Sequence, residues 1–405
     1  MKILKDKNIC DISGFQAIGI SCGIKKGQKK DLSILYSQYP AVAAATFTTN
    51  KVKAAPVLVS MEHIQSESTR AVVINSGNAN ACTGQKGIED AVAMTVKTAK
   101  CLGLNPEEVL VASTGIIGVP LPMDRIEKGI QTACSSLSSG GEDGAAEAIM
   151  TTDTFPKKIT VETTIGNKPV QISGIAKGSG MIHPNMATML AFIVTDANIT
   201  KTMLTKALRD SIQNSYNMVS VDGDTSTNDT VIALANGAAE NPLIKDDGED
   251  YDAFKNAFDF VNQELAKMIA KDGEGATKLI EVSVSHANSE TDAKICAKAV
   301  ISSSLVKAAF FGSDANWGRI LCAMGYSGAN FDPEKIDISF QSRAGTIQLV
   351  EKGMGIPFSE EKALKILKED HIIVLIDLKD GKYHASAWGC DLSYEYVKIN
   401  GCYRT

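Results

Sequence analysis

Short apolar runs separated by glycine, lysine and proline open the chain: residues 15–22, 32–36, 42–48 and 57–61 predict strands joined by hairpin turns. The pattern then turns to α/β. A strand at 71–74 leads into the polar loop Asn75-Ser76-Gly77-Asn78-Ala79-Asn80, and a helix at 88–102 stops at Gly103. Another strand at 109–112 runs into Ser113-Thr114-Gly115, ahead of a helix with apolar positions at Ile126, Ile130, Ala133 and Leu137. The apolar, partly β-branched run from Met189 to Val194 predicts a buried strand. Met203, Leu204, Leu208 and Ile212 mark an amphipathic helix, and 231–235 is a further apolar segment. The charge-rich stretch 241–252 reads as exposed. Beyond residue 279 the order changes to strand, helix, helix, strand, strand, helix, strand, at 281–285, 293–310, 317–325, 336–340, 347–351, 360–368 and 372–378. That order predicts a second α+β unit.

Composition narrows the class without naming a chemistry. At 405 residues, 44% hydrophobic and 22% charged, the chain is an ordinary globular protein able to bury a core without staples. A net charge of −6 supplies no concentrated basic face, so no nucleic-acid partner is expected. Lys25, Lys26, Lys29 and Lys30 flank Gly27 and read as a solvated hairpin tip. The charged start Met1-Lys2-Ile3-Leu4-Lys5-Asp6-Lys7 and the lack of any apolar stretch of about 18 residues predict a cytoplasmic protein with no membrane partner. Nine dispersed cysteines without a Cys-x-x-Cys pair fit neither a disulfide framework nor a zinc site, and most read as small buried thiols.

The segment with the most chemistry in it is Gly178-Ser179-Gly180-Met181-Ile182-His183-Pro184-Asn185-Met186-Ala187-Thr188-Met189, a flexible glycine turn delivering a threonine to the apolar run. Thr188 has two readings, the first residue of a strand or a nucleophile. A threonine hydroxyl is a weak nucleophile. Cutting the Ala187–Thr188 bond would set a free α-amine, with an ordinary pKa near 7.7–8.0, beside its own Oγ as general base. Three distant segments supply what such a nucleophile lacks. Ser113-Thr114-Gly115 offers an unhindered N–H beside a hydroxyl for a tetrahedral oxyanion. Lys177 offers an ammonium for a substrate carboxylate, or a like charge that keeps a new amine deprotonated. Glu274, in Asp272-Gly273-Glu274-Gly275-Ala276-Thr277, offers a carboxylate for an ammonium group.

Other signatures weigh less. No Walker-type loop and no Gly-x-Gly-x-x-Gly is present. Gly19-Ile20-Ser21-Cys22-Gly23 spells a nucleophile elbow but leads into a lysine-rich turn instead of a helix. Asp222-Gly223-Asp224-Thr225-Ser226-Thr227-Asn228-Asp229 opens like a calcium loop, yet lacks the sixth-position glycine and the twelfth-position glutamate, so a hydrogen-bonded polar loop is expected. His183 reads as a turn histidine, and His63, His286, His371 and His384 show no metal-ligand spacing.

Taken together, the ordered blocks resemble the ornithine acetyltransferase family of arginine biosynthesis, often bifunctional as glutamate N-acetyltransferase and amino-acid acetyltransferase. The blocks are Thr46-Phe47-Thr48-Thr49-Asn50, Asn75 to Gly84, Ser113-Thr114-Gly115-Ile116-Ile117-Gly118, Met150-Thr151-Thr152-Asp153-Thr154, Lys177-Gly178-Ser179-Gly180-Met181-Ile182, Asp314-Ala315-Asn316-Trp317-Gly318-Arg319 and Tyr403-Arg404-Thr405. The resemblance covers essentially the whole chain. It implies a mixed α/β (α+β) fold: a layered αββα sandwich similar to N-terminal-nucleophile hydrolases but differently connected, plus a smaller α+β domain. The expected division is 1–280 and 281–405, with the final strand and tail returning to the active site. It also implies self-cleavage between Ala187 and Thr188, Thr188 as nucleophile, and Thr114 and Gly115 as the oxyanion hole. Thr151, Lys177, Thr188, Glu274, Asn400 and Thr405 are the implied substrate contacts.

The implied reaction is ping-pong transfer of acetyl from N2-acetylornithine to glutamate, releasing ornithine and N-acetylglutamate. It needs no cofactor and no metal, with acetyl-CoA an additional donor in bifunctional members. The implied assembly is an α2β2 heterotetramer of cut chains. An amidohydrolase or aminopeptidase using the same N-terminal threonine is the alternative, and an amino-acid sensor without turnover is a third reading that predicts an uncut chain.

Overall fold

A strand covered on both faces must be apolar throughout. Leu190–Thr195 is buried at every position, and so is its neighbour Thr230–Ala235. These are β9 and β11 in a computed structural model, which describes residues 1–137, 144–183 and 189–402. They run parallel, with Leu190 opposite Thr230. Antiparallel strands flank the pair: β8 (Lys168–Lys177), then β7 (Lys157–Ile165) and β1 (Lys2–Ile3) beyond β9, and β4 (Val42–Phe47) beyond β11. The outer strands on both sides therefore precede residue 178 in the chain, while the central pair follows residue 189.

A second sheet, ordered β2 (Phe15–Ile20), β3 (Leu32–Ser37), β5 (Ala71–Asn78), β6 (Val109–Ile116), lies against the first. Alternation along its strands divides their side chains between two layers. Phe15, Leu35, Val72, Ile74 and Leu110 meet Phe192, Val194, Ile232 and Leu234 between the sheets. Ile34, Val73 and Val111 pack instead with α1 (Ala55–His63), α2 (Gly84–Leu102) and α3 (Met123–Ser135). Over the other face of the six-stranded sheet lie α5 (Lys201–Gln213) and α6 (Glu249–Lys271), so the layers run helix, sheet, sheet, helix. The short α4 (Ala145–Ala148) closes one end of the space between the sheets.

The same buried cluster continues from Phe254, Phe258 and Val261 of α6 into a seven-stranded sheet. Its order is β10 (Val219–Ser220), β17 (Tyr383–Cys390), β12 (Leu279–Ala287), β16 (His371–Asp377), β13 (Asp337–Ser342), β14 (Gly345–Glu351), β15 (Met354–Gly355). Helices α7 (Glu290–Ser302), α8 (Ser304–Phe311), α9 (Trp317–Gly325) and α10 (Glu360–Leu367) accompany this sheet, and α11 (Tyr394–Cys402) follows it. Among the described residues, no helix is long and apolar enough to cross a membrane.

Four local expectations change. Residues 57–61 are helical, not extended: Pro56 occupies the first turn of α1, where its fixed φ favours a helix. The expected helix at 293–310 is broken at Ser303, whose side chain caps α8 through the Val306 N–H. The expected polar loops at 75–80 and 113–115 are in part the ends of β5 and β6, paired as Ser76 with Thr114 and Gly77 with Gly115. The chain after β17 reaches back as the helix α11, not as a final strand. The expected order lacks α4, α6, β17, α11 and the β7–β8 hairpin, which turns at Gly166-Asn167 with both φ values positive.

Candidate active site

Residues from five separate segments meet in a cleft of about 140 Å³: Thr114 and Gly115 at the end of β6, Thr151 after α4, Lys177 ending β8, Glu274 beyond α6, and Asn400 on α11. The described residues among the sequence-derived candidates thus share one cavity. Ala187, Thr188 and Thr405 lie outside the described residues; Met189, the next residue after Thr188, lines a small adjoining cavity with Thr114 and Lys177.

Gly115 is required by crowding. Its φ is +132°, and a Cβ there would lie 2.2 Å from the Gly77 carbonyl carbon on the neighbouring strand. Asn228 fixes the same corner, donating from Nδ2 to the carbonyls of Ala79 (2.6 Å) and Ser113 (2.8 Å). Lys177 is 8% exposed and its Nζ donates to Thr114 Oγ1 at 3.4 Å. Burial lowers its ammonium from the ordinary range, and Asp153 opposes that shift. Glu274 enters the cleft beside Gly180, where a Cβ would stand 2.4 Å from the carboxyl carbon. Asn400 Nδ2 donates to Glu274 Oε2 at 2.8 Å, so α11 docks directly onto a cleft carboxylate.

Behind these groups is a buried ion network with no local sequence signature. Lys157, fully buried, donates to Asp153 Oδ1 (2.7 Å) and Asp272 Oδ2 (2.5 Å). Asp153 also accepts from the N–H of Gly178 (2.7 Å) and of Thr151 (2.9 Å), tying two cleft segments to one carboxylate. Burial works to raise the Asp153 carboxyl, but Lys177 and Lys157 outweigh it and hold the group well below the usual carboxylate range. Asp272 accepts from Thr154 through both N–H and hydroxyl, and its carbonyl takes the Ser179 hydroxyl at 2.7 Å. Asp153 lies in the segment Met150-Thr151-Thr152-Asp153-Thr154 and Asp272 beside Glu274, and neither segment marks a buried ion pair by itself.

The polar loop read from Asp222 to Asp229 is hydrogen-bonded and lines the cleft. Asp222 accepts from the N–H groups of Met181 (2.7 Å) and Ile182 (2.8 Å), gripping the chain just before the glycine turn ends. Lys25 is not the solvated residue expected. Its Nζ donates to the Lys30 carbonyl (2.9 Å) and the Met150 carbonyl (2.6 Å), and burial draws its ammonium down to about 8. Among the described residues, no group of three or more metal-ligating side chains is placed to hold an ion.

His183 faces a different cavity, of about 580 Å³, with Lys298. Its Nδ1 is 3.0 Å from Ser220 Oγ. Burial lowers the imidazole to about 4, and Lys298 adds to the shift. The unfolded chain, with His near 6.5, therefore binds more protons than the folded one between those two values, so stability falls as pH drops through that window. Urea midpoints should decline from about pH 6.5 to about pH 4 in the wild type. His183→Gln should flatten that decline; an equal slope in the variant would exclude His183 as its source.

The layered fold and a cleft lined by Lys177 and Glu274 are those of a mixed α/β enzyme. The ArgJ family model matches residues 16–405, and this chain belongs to the ArgJ family. It is 60% identical over 405 residues, covering 100% of this chain and 99% of the relative, to "Arginine biosynthesis bifunctional protein ArgJ 1" of Clostridium acetobutylicum. It is 55% identical over 392 residues, 97% of each chain, to the "Arginine biosynthesis bifunctional protein ArgJ" of Caldanaerobacter subterraneus subsp. tengcongensis. Among solved structures, it is similar to the arginine biosynthesis bifunctional protein of Bacillus halodurans, with TM-score 0.50 and 44% identity. That match covers 52% of this chain and 98% of the solved one.

Proposed function

We propose that this chain is an arginine-biosynthesis acyltransferase that carries acetyl from N2-acetylornithine to glutamate through an ester on Thr188. The observation that carries this reading is the convergence of Thr114, Gly115, Thr151, Lys177, Glu274 and Asn400 on one cleft that Met189 adjoins. The Bacillus halodurans chain supports the cut: nearly all of it corresponds to about half of this one, as expected of a member divided into two chains. Cleavage at Ala187–Thr188 frees the amine that serves as base.

In the first half-reaction that amine takes the Oγ proton as Oγ bonds to the acetyl carbonyl carbon. Thr114 and the Gly115 N–H receive the oxyanion. The C–N bond then breaks, the departing nitrogen takes up a proton, and ornithine leaves. Lys177 meets the substrate carboxylate, while Glu274 and Asn400 meet its ammonium end. Glutamate enters the emptied cleft and its amino group attacks the ester, giving N-acetylglutamate and restoring the Thr188 hydroxyl. Acetyl-CoA charges the same threonine in the bifunctional mode. The assembly is two copies of each cut chain, in the cytoplasm, without cofactor or metal.

Incubation with N2-acetylornithine, with and without glutamate, tests the transfer. Ornithine release should depend on glutamate and match N-acetylglutamate formed. Equal release in both would reject the transferase in favour of the amidohydrolase.

A further inference from the structure

Asp229 immediately precedes β11, is 2% exposed, and has an Oδ2 with no hydrogen-bond partner among the described residues. A buried carboxylate left so is uncommon and calls for a reason. The side chain lines a cavity of about 30 Å³ together with Thr114, Lys177, Asn228, Met189 and Leu190, room enough for one water with polar partners. Asp229 and Met189 each stand one residue before the parallel pair Thr230–Leu190, and the Thr230 N–H donates to the Met189 carbonyl at 2.9 Å. This carboxyl therefore stands across the ladder from Met189, the residue that follows Thr188 in the chain.

Its surroundings favour the neutral carboxyl over the carboxylate. Burial pushes the carboxyl well above the usual range; the Ser226 hydroxyl, the Lys177 charge and the Thr48 hydroxyl pull the other way. Lys177, at the end of β8, itself faces Asp153, Lys157 and Glu274. Met189 and Leu190, at the start of β9, bring no charge.

We propose that Asp229 is the proton relay of the chain-cutting step, exchanging protons with Thr188 through the water its cavity admits. The inference rests on the reading of Thr188 as nucleophile. In the step, Thr188 Oγ bonds to the Ala187 carbonyl carbon and the C–N bond breaks with its electron pair on nitrogen. The carboxyl supplies that nitrogen with a proton and recovers the one lost by Oγ. Water then adds its hydroxide to the ester carbon and its proton to Oγ, leaving the Ala187 carboxyl and a free Thr188 hydroxyl and amine. No other reactant is consumed.

The test follows cutting of the full chain made by cell-free translation, diluted into buffers from about pH 5.5 to 9 and sampled on denaturing gels. Asp229→Asn should cut at least about a hundred-fold more slowly, with the wild-type pH dependence gone. Ser226→Ala removes a hydroxyl that favours the carboxylate, so it should move the midpoint of the cutting profile to higher pH. Cutting of Asp229→Asn within about twofold of wild type, slowing with the wild-type pH profile retained, or an unmoved profile in Ser226→Ala would each overturn the relay. A Thr188→Ala control separates the two readings. Wild type that is never cut defeats the nucleophile itself, whereas wild type cut, Thr188→Ala uncut and Asp229→Asn cut normally defeats the relay alone.

Discussion

Thr188→Ala should yield one uncut chain of 43.0 kDa and lose acetyl transfer by about a million-fold, or to background. One substitution removes two groups at once. The hydroxyl that would carry the acetyl is gone, and the α-amine that would act as base is never released from its peptide bond. The proposed substrate contacts, Lys177 buried and Glu274 held by Asn400, are left in place. Ligand-induced stabilisation by ornithine should therefore persist in the variant while turnover vanishes. Intact-mass measurement gives the first readout and ornithine release the second. Two fragments from Thr188→Ala would sink the nucleophile assignment, however low the activity.

Lys157→Met should cost about 3–5 kcal/mol of stability, the largest effect expected from a position outside the cleft. Methionine matches the length of the stem, so little packing is lost. What remains is two buried carboxylates, on Asp153 and Asp272, whose shared ammonium has gone. Asp153 keeps its two backbone N–H donors and Asp272 keeps Thr154, which limits the damage without supplying a charge. Because Asp153 joins Thr151 to Gly178, the loss should also appear as a raised KM. Urea unfolding measures the first effect and steady-state kinetics the second. A cost under about 1 kcal/mol would mean that the pair is no better than a surface ion pair.

Elements with their own periodicity were legible in the sequence. The α9 boundaries, Trp317–Gly325, coincide with the expected 317–325 because Asn316 caps the start through the Arg319 N–H. Residues 57–61 misled because a short apolar run suits a strand or a buried helix, and Pro56 was the stronger signal. The stripe Phe254, Phe258, Val261, Leu265, Ile269 in α6 has helical spacing, but the charged stretch before it masks the start of the helix. The site was legible only through ordered motif blocks. No spacing rule places Thr114 near Lys177 or Asn400 near Glu274, since those meetings depend on how whole sheets stack. Lys157 and Asp272 lie 115 residues apart, and a buried pair made at that distance leaves no local mark.

The strand order of the six-stranded sheet changes what cutting does to molecularity. β9 and β11, from after the proposed cut, are held between β8 and β4, from before it. If that bond is broken as proposed, the interleaved strands would hold the two pieces together in the folded state, and melting would separate them. Folding of the precursor is first order, whereas recovery of the cut protein requires two chains to find each other and depends on concentration. Maturation by such a cut would act as a ratchet, turning a unimolecular folding problem into a bimolecular one.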